Sequence, residues 1–435
     1  MSQVIFIPVE TDPSETRVAA TPETVKKLIG YGFKIIVESG AGIASRITDQ
    51  AFADASAQIG KTADIKTADI ILKLRRPSST ELKNYKTGAV LIAMLDPYGH
   101  EDSVAAIAQA GLTAFTMEFM PRITRAQVMD VLSSQANLAG YQAVIDAAAE
   151  YGRAMPMMMT AAGTVPAAKV FVMGAGVAGL QAIATARRLG AVVTATDVRP
   201  AAKEQVASLG AKFVAVEDDE FKAAETAGGY AKEMSKDYQA KQAALVADHI
   251  AKQDIVITTA LIPGRAAPRL VSAAMVASMK PGSVLIDLAV ERGGNVEGAV
   301  AGQVVEKDGV KIIGHMNTAG RIAASASQLY ARNLFAFLET LVDKDTKQLA
   351  INLDDELVKA TVLTHQGAIV HPAFADAKAA PVAADNKAEA APKPAVKKAP
   401  VKKAAPKKPA AAKPATKTGA SKKTVNEAGN KGDEA

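Results

Sequence analysis

A glycine-rich turn between two apolar runs constrains the fold of this chain more than any other feature. Residues 170–173 (VFVM) form a short β-branched and aromatic run, which is typical of a buried parallel strand. The turn GAGVAG follows at 174–179 and leads into a helical pattern, and a second apolar run ends at Asp197. This order of strand, turn, helix and strand predicts a parallel βαβ unit.

Each part of this unit suits the binding of a dinucleotide. The first glycine permits the tight turn, the second lets the backbone approach a pyrophosphate, and the third lets helix and strand pack closely. The free N–H groups of the helix N-terminus favour the phosphate charge. Asp197 can accept hydrogen bonds from an adenosine ribose and repels a 2′-phosphate, which predicts NAD(H) over NADP(H), although Arg199 could soften this preference. The predicted contacts are Gly174, Ala175, Gly176, Val177, Gly179, Asp197, Val198 and Arg199. The alternative is a glycine-rich turn without a ligand.

Strand and helix patterns alternate on both sides of this unit. They predict an α/β fold with two doubly wound, Rossmann-like parallel-sheet domains and a cleft between them. We expect a first domain at 1–139 and 322–374 and an NAD-binding domain at 140–321. Two long predicted helices, 135–151 and 318–340, would carry the chain across and back, with Ser133 or Ser134 capping the first. The first domain is therefore expected to be discontinuous in sequence.

The last segment, 375–435, is rich in alanine, lysine and proline. It lacks large apolar residues, so it is predicted to be a disordered tail. It holds 14 lysines against 6 acids, whereas the rest of the chain has a net charge of −2, so the overall +6 belongs to the tail. A solvated tether and a weak contact with an anionic membrane are both open. No aromatic residues are interleaved for base stacking, and no nucleic-acid partner is expected.

Composition excludes several site chemistries. The chain has no cysteine, so disulfides and thiolate nucleophiles are absent, and five scattered histidines show no metal-ligand spacing. No metal site is therefore expected. The N-terminus lacks the pattern of a signal peptide, and no uninterrupted apolar stretch predicts a membrane-spanning helix.

Two polar segments are candidates for contacts with a bound ligand. Residues 121–140 crowd arginine, glutamine, aspartate and serine between two apolar elements, at the expected mouth of the cleft near the nicotinamide. A structural hinge held by an Arg–Asp pair is the alternative. Residues 219–249 contain Gly228, Gly229 and Tyr230 in a polar stretch, which suggests either a mobile flap or an exposed insertion.

Near the expected cleft, no histidine or lysine stands as an obvious general acid or base. A dehydrogenase of small hydroxy or amino acids needs a proton relay beside the reacting carbonyl. Hydride transfer between two nicotinamides needs none, because the rings only have to be held face to face.

From residue 1 to about 370 the chain resembles the soluble NAD(H)-binding subunit of proton-translocating NAD(P) transhydrogenase in its split bacterial form. The resemblance rests on motifs that occur in order: ETRVAATPETV, RITRAQVMDVLSSQANLAGYQAV, VFVMGAGVAGLQAIATARRLGA, GGYAKEMS, TTALIPGR, LIDLAVERGGN and NTAGRIAASASQLYARN.

This resemblance implies an activity and an assembly. The subunit would present NADH to NADP⁺ held on a partner subunit, and hydride would pass directly between them while a proton crosses the membrane. It would be a homodimer, cytoplasmic, and peripherally associated with the inner membrane through membrane-spanning partner subunits.

The resemblance also implies roles for particular residues. Catalytic roles fall on Arg122, Gln127, Asp130 and Ser133, in a loop that holds the nicotinamide, with Gln127 reaching toward the partner's cofactor. The further cofactor contacts in this loop are Ile123 and Thr124. Gly229 and Tyr230 match a mobile loop that closes over NAD(H), and Ala260 and Leu261 would line the cleft.

Alanine dehydrogenase, a related soluble enzyme, is the alternative interpretation. Arg17 matches its substrate-carboxylate arginine, but Arg75 stands in place of its catalytic lysine. Asp96 occupies the region of its catalytic histidine, and Glu291 replaces its active-site aspartate. These losses argue against oxidation of an amino acid.

Overall fold

The computed structural model describes residues 2–224, 234–262 and 264–375. Gly229 and Tyr230, from the predicted flap, lie outside the described residues, as does the predicted tail beyond Ala375.

The described residues alternate strands and helices. The strands are β1 (Val4–Ile7), β2 (Lys34–Glu38), β3 (Gln58–Gly60), β4 (Ile70–Leu72), β5 (Val90–Ala93), β6 (Thr113–Thr116), β7 (Met158–Thr160), β8 (Gly163–Val165), β9 (Lys169–Met173), β10 (Val192–Thr196), β11 (Lys212–Phe213), β12 (Ile255–Thr258), β13 (Val284–Asp287), β14 (Val304–Lys307), β15 (Val310–Ile313), β16 (Val362–His365) and β17 (Ala368–Ile369). The helices are α1 (Pro22–Gly30), α2 (Asp49–Asp54), α3 (Ser79–Leu82), α4 (Glu101–Gln109), α5 (Val131–Glu150), α6 (Val177–Arg188), α7 (Ala202–Ser208), α8 (Asp219–Lys222), α9 (Lys236–Ile250), α10 (Ala273–Ser278), α11 (Ala323–Glu339) and α12 (Glu356–Thr361).

Two large sheets share one topology, and we call them the first sheet and the second sheet. The first has the order β17-β16-β6-β5-β4-β1-β2-β3, and the second has the order β11-β10-β9-β12-β13-β15-β14. The core strands of each are parallel, and β14, β16 and β17 pair antiparallel at the edges. Both parallel parts follow the doubly wound order, in which the strand order reverses beside the first strand of the unit. The predicted α/β class with two Rossmann-like sheets is confirmed.

Helices cover both faces of each sheet, and buried apolar side chains form the contacts. On one face of the first sheet, Ile5 and Ile35 pack with Leu334 of α11, and Phe6 belongs to the cluster on the opposite face. In the second sheet, alternate residues of β9 point to opposite faces. Val170 and Val172 join the cluster with α5 and α6, and Phe171 and Met173 join the one with α9. A strand buried on both faces has a continuous apolar sequence, which is why β9 could be predicted.

The two connecting helices differ in detail from their predicted bounds. Helix α5 begins at Val131, and Asp130 caps it by accepting a hydrogen bond from the Ser133 amide at 2.8 Å. The prediction that Ser133 or Ser134 caps this helix is wrong, because both lie in its first turn. The predicted helix at 318–340 is a 3₁₀ turn, Thr318–Ile322, followed by α11.

Helix α5 joins the two cores. Val131 at its start is buried with the first sheet, whereas Ala143 and Ala147 pack with the second. Among the described residues, every helix is too short or too polar to cross a bilayer.

Candidate functional site

The glycine turn lies where the strand order of the second sheet reverses. It follows β9, and the loop 259–267 follows the neighbouring strand β12. Thr259 links the two because its hydroxyl donates to the Gly174 carbonyl at 3.2 Å. A crevice at such a reversal point is the usual ligand site of a doubly wound sheet.

Three glycines at this crevice are required by packing. Gly174 has a φ of +107°, and a Cβ there would lie 2.5 Å from the Thr259 hydroxyl oxygen. A Cβ on Gly179 would lie 1.8 Å from the Gly174 carbonyl oxygen. Gly140 lets α5 approach α6, since a Cβ there would lie 2.0 Å from the Ala178 carbonyl oxygen. These contacts exclude any side chain at the three positions.

Gly176 differs from these three glycines. It caps α6 with extended backbone, it is exposed, and a Cβ would meet no atom within 4 Å. Val177, at the first turn of the helix, is 41% exposed. The N–H groups at this helix terminus therefore face open space, where a phosphate can approach them.

Asp197 ties the glycine turn to the end of β10. Its Oδ2 accepts from the Ala175 amide at 2.7 Å, and its Oδ1 accepts from the Arg199 amide and Nε at 2.9 Å each. The Arg199 guanidinium also donates to the Ala175 carbonyl at 3.2 Å. Val198, between these two side chains, is 63% exposed. The carboxylate thus orders the turn, and its contact with a ribose stays a prediction.

The Asp197–Arg199 pair predicts how nucleotide preference responds to substitution. In Asp197→Asn the negative charge that repels a 2′-phosphate is lost, and the guanidinium keeps its positive charge beside the ribose position. We expect the NADPH affinity to rise about tenfold relative to that for NADH, equivalent to about 1.4 kcal/mol. Fluorescence titration with both nucleotides measures the ratio. Glu217→Gln, which removes the partner of Lys203, is the control, and an unchanged ratio in Asp197→Asn would contradict the prediction.

Asn295 fixes the loop that follows β12. Its side chain is completely buried, accepts from the Ala260 amide at 3.0 Å and donates to the Ala260 carbonyl at 2.9 Å and to the Pro268 carbonyl at 2.7 Å. Leu261, the next residue, is 51% exposed. The predicted cleft residues Ala260 and Leu261 therefore lie beside the glycine turn on an ordered backbone.

Sequence reasoning missed Asn295 and the aspartate that supports it. Asp287 ends β13 and accepts from the amides of Ala289 and Val296, at 2.9 Å each. Gly293 and Gly294 both have positive φ in the loop between them. An acid at the end of a buried strand, followed by a glycine pair, was the signal that could have identified this loop.

The predicted nicotinamide loop lies at the start of α5. Asp130 accepts from the amide and hydroxyl of Ser133, at 2.8 and 2.5 Å. Asn333 of α11 supports the loop from below by donating to the Val128 carbonyl at 2.7 Å. The exposed residues include Arg122, Thr124, Gln127 and Val128, and Ile123 is half-buried. The loop is anchored on its inner side and presents polar side chains outward.

The arginine pairing expected within this loop runs elsewhere. Arg125 forms a bidentate ion pair with Asp355, at 2.8 and 3.0 Å, and the carboxylate of Asp130 binds Ser133 instead. The guanidinium of Arg125 lowers the pKa of the Asp355 carboxyl, and burial opposes this shift. The loop is therefore fastened to the start of α12, 230 residues later in the chain.

The polar loop and the glycine turn lie along the same helix. Gly140, which contacts Ala178, is ten residues beyond Asp130, so the two sites are about 15 Å apart along the helix axis. The structure brings the glycine turn, Asp197 and the Ala260 loop together and puts the polar loop at the far end of this distance.

A buried charge cluster connects the first sheet with the strand end before α11. Glu15 accepts from Arg17 Nε at 2.7 Å, from Arg75 Nε at 2.8 Å and from the Asn317 amide side chain at 3.1 Å. Burial raises the pKa of the Glu15 carboxyl, but the hydrogen bond and charge of Arg17, with Arg75, outweigh it and lower the pKa. Arg17 also donates to Gln135 at 2.8 Å. Its guanidinium is thus engaged by side chains of this chain.

Lys73, at the end of β4, is equally engaged. It is buried and donates to Glu81 at 2.7 Å, with Glu10 at 3.4 Å. Burial lowers its pKa, but the two carboxylates outweigh this effect and raise it. This lysine is a structural cation rather than a proton donor at the cleft.

Comparison with protein families matches both halves of the chain. The family described as Alanine dehydrogenase/PNT, N-terminal domain, matches residues 6–139. The corresponding C-terminal domain family matches residues 143–372.

Individual relatives are similar over most of the chain. The first of the parts that make up NAD(P) transhydrogenase subunit alpha in Rhodospirillum rubrum is 57% identical over 377 residues, which cover 85% of this chain and 98% of the relative. A solved structure of transhydrogenase from Sinorhizobium meliloti is 68% identical with a TM-score of 0.78, covering 85% of this chain and all of that chain. Alanine dehydrogenase of Mycobacterium tuberculosis is 33% identical over 300 residues, covering 68% of this chain and 74% of the relative.

Proposed function

Because the chain belongs to the alanine dehydrogenase/PNT family, we propose that it is the NAD(H)-binding subunit of a proton-translocating NAD(P)⁺ transhydrogenase. Its homologues among transhydrogenase alpha subunits support a transhydrogenase component. The observation that carries the proposal is the 57% identity to a transhydrogenase subunit over nearly the full length of that relative.

The cofactor site is proposed to follow the carboxyl edge of the second sheet. The pyrophosphate would bind at the exposed start of α6, near Gly176, with the adenosine ribose beside Asp197. Ala260 and Leu261 would line the cleft between this point and the nicotinamide. The proposed nicotinamide contacts are Arg122, Ile123, Thr124, Gln127, Asp130 and Ser133, together with Gly229 and Tyr230 from the closing loop.

The chemistry proposed for this chain is positioning. NADH supplies the hydride, and the acceptor is NADP⁺ on a partner subunit. Gln127 is exposed on an anchored loop, beside Val128, which is 65% exposed, and Leu132, which is 47% exposed. Apolar side chains around a polar residue suit a protein contact that excludes water from the transfer. Proton movement would occur in membrane-spanning partner subunits, on which this chain would dock peripherally.

A second copy of the chain is proposed as a further partner. The hairpin β7–β8 presents Met158 at 44% and Met159 at 76% exposure, and Met157 before it is 61% exposed. Adjacent exposed methionines on a short hairpin are suited to burial in an interface. Sedimentation velocity would distinguish the expected homodimer from a monomer.

The proposed function is tested by mixing the purified chain with an NADP-binding partner subunit, NADH and an oxidised NADP analogue. Reduction of the analogue that requires both proteins is expected. Binding of NADH without any transfer to a competent partner would contradict the proposal.

Alanine dehydrogenase activity is the less supported alternative. The alanine dehydrogenase relative is more distant, and Arg17 is already bound by Glu15 and Gln135. Incubation with NAD⁺ and alanine is expected to form no NADH.

A further inference from the structure

One ion pair joins the carboxyl edges of the two sheets. Asp96 follows β5 of the first sheet, Arg292 follows β13 of the second, and Arg292 Nη2 donates to Asp96 Oδ1. We propose that this pair is a latch that holds the cleft closed, so that Arg292 and Asp96 are positioning residues that set the rate of cofactor exchange. The consequence for exchange rests on the proposed binding of NADH in this cleft.

The first half of the latch is held rigidly. Asp96 has a φ of +47°, in the left-handed region that aspartate tolerates better than most residues. Its amide donates to Glu118 at 2.7 Å, and the preceding Leu95 amide donates to the same carboxylate at 3.1 Å. The backbone therefore aims the Asp96 side chain away from its own strand.

The second half carries the loop beside the cofactor crevice. Arg292 ends a 3₁₀ turn, Val290–Arg292, and its carbonyl accepts from the Ala267 amide at 2.8 Å. Ala267 belongs to the loop after β12, where Asn295 holds Ala260. A shift of Arg292 relative to Asp96 would move this loop with it.

A second contact closes the same edge. Gly264, in the loop after β12, lies against the ring of Tyr98, and a Cβ on Gly264 would be 3.1 Å from that ring. Tyr98 follows Asp96 by two residues. The ion pair and this contact thus join the same two loops, one from each sheet.

The chain crosses between the sheets at a different place. Helix α5 leads across, and the 3₁₀ turn before α11 leads back, with Arg321 Nε 2.9 Å from Asp146 of α5. These two connections form a covalent hinge, whereas the latch contacts are noncovalent. Opening of the cleft about the hinge therefore requires the latch to break.

The latch is built to open. The side chains of Arg292 and Asp96 are 42% and 36% exposed, and an exposed ion pair adds little free energy and is weakened by salt. Loss of the pair is therefore expected to speed NADH dissociation by about two- to fivefold, rather than to unfold the protein.

The absence of native cysteines allows a direct test in the full chain. Spin labels are placed on Thr80→Cys in α3, beside the first sheet, and Ala277→Cys in α10, beside the second, both exposed. Their distance distribution is measured without nucleotide. Arg292→Ala is expected to broaden it and shift it, and Arg292→Lys to restore most of the original distribution. Arg292 is the better position to change because Asp96 also faces Arg76 at 3.6 Å and His100 at 3.7 Å.

Arg332→Ala is the matched control. It removes an ion pair with Glu23 of similar exposure, 46% and 39%, that lies within the first sheet and its helices. It should leave both the label distances and the NADH dissociation rate unchanged. Equal distributions in Arg292→Ala and the unsubstituted chain would overturn the latch. If the labels move but none of the variants binds NADH, the latch stands and the proposed function fails.

Discussion

Gly179→Ala is expected to destabilise the protein severely and to abolish NADH binding. The added Cβ would lie 1.8 Å from the Gly174 carbonyl oxygen, a backbone atom that cannot rotate away. The turn and α6 would have to separate, and overpacking of this kind costs about 3 kcal/mol or more. Urea unfolding followed by circular dichroism measures the loss of stability, and isothermal titration with NADH measures binding.

Gly176→Ala is the matched substitution in the same turn. No atom lies within 4 Å of its added Cβ, and its φ of −79° suits alanine, so stability should be unchanged within about 0.5 kcal/mol. If the pyrophosphate approaches this backbone, the methyl group should weaken NADH binding by about tenfold or more. Unchanged NADH affinity in Gly176→Ala would show that the phosphate binds elsewhere.

Gln127→Asn is expected to reduce hydride transfer to the partner's NADP⁺ by more than about tenfold and to leave the NADH dissociation constant within about twofold. The side chain is shortened by one methylene at an exposed position on an anchored loop, and a misplacement of about 1 Å can cost a hundredfold in rate. Single-turnover transfer with the partner subunit measures the rate, and fluorescence titration measures NADH affinity.

The control makes the same change at another exposed glutamine. Gln50→Asn alters α2, where the side chain donates to Asp54 within the same helix, and both quantities should stay unchanged. Parallel losses of affinity and rate in Gln127→Asn would assign the residue to cofactor binding rather than to the transfer geometry.

Local sequence patterns were enough for much of the fold. The buried strands β9 and β12 have continuous apolar sequences, and Thr21 with Pro22 was recognised as the start of α1, where the threonine does cap the helix. The edge strands β14 and β16 were missed. β14 exposes most of its residues, so it lacks the apolar pattern that identifies a strand.

The candidate site was only partly visible in the sequence. The glycine turn and Asp197 form a contiguous motif whose residue types are dictated by backbone geometry, so their positions could be predicted directly. The interactions of Arg125 with Asp355 and of Asn295 with Ala260 could not, because each joins loops that are distant in the chain. Gly229 and Tyr230 lie outside the described residues, and their role stays a prediction.

By itself the sequence determined the two sheets, their parallel order, the glycine turn and the family. These depend on apolar periodicity and on local backbone requirements, which neighbouring residues specify. Only the tertiary structure decided that Asp130 caps α5, that Glu15 binds Arg17 and Arg75, and that Arg292 reaches Asp96 across 196 positions. A side chain has several candidate partners of opposite charge along a chain of this length. The partner it takes is set by which strand ends the sheet topology brings to the same edge.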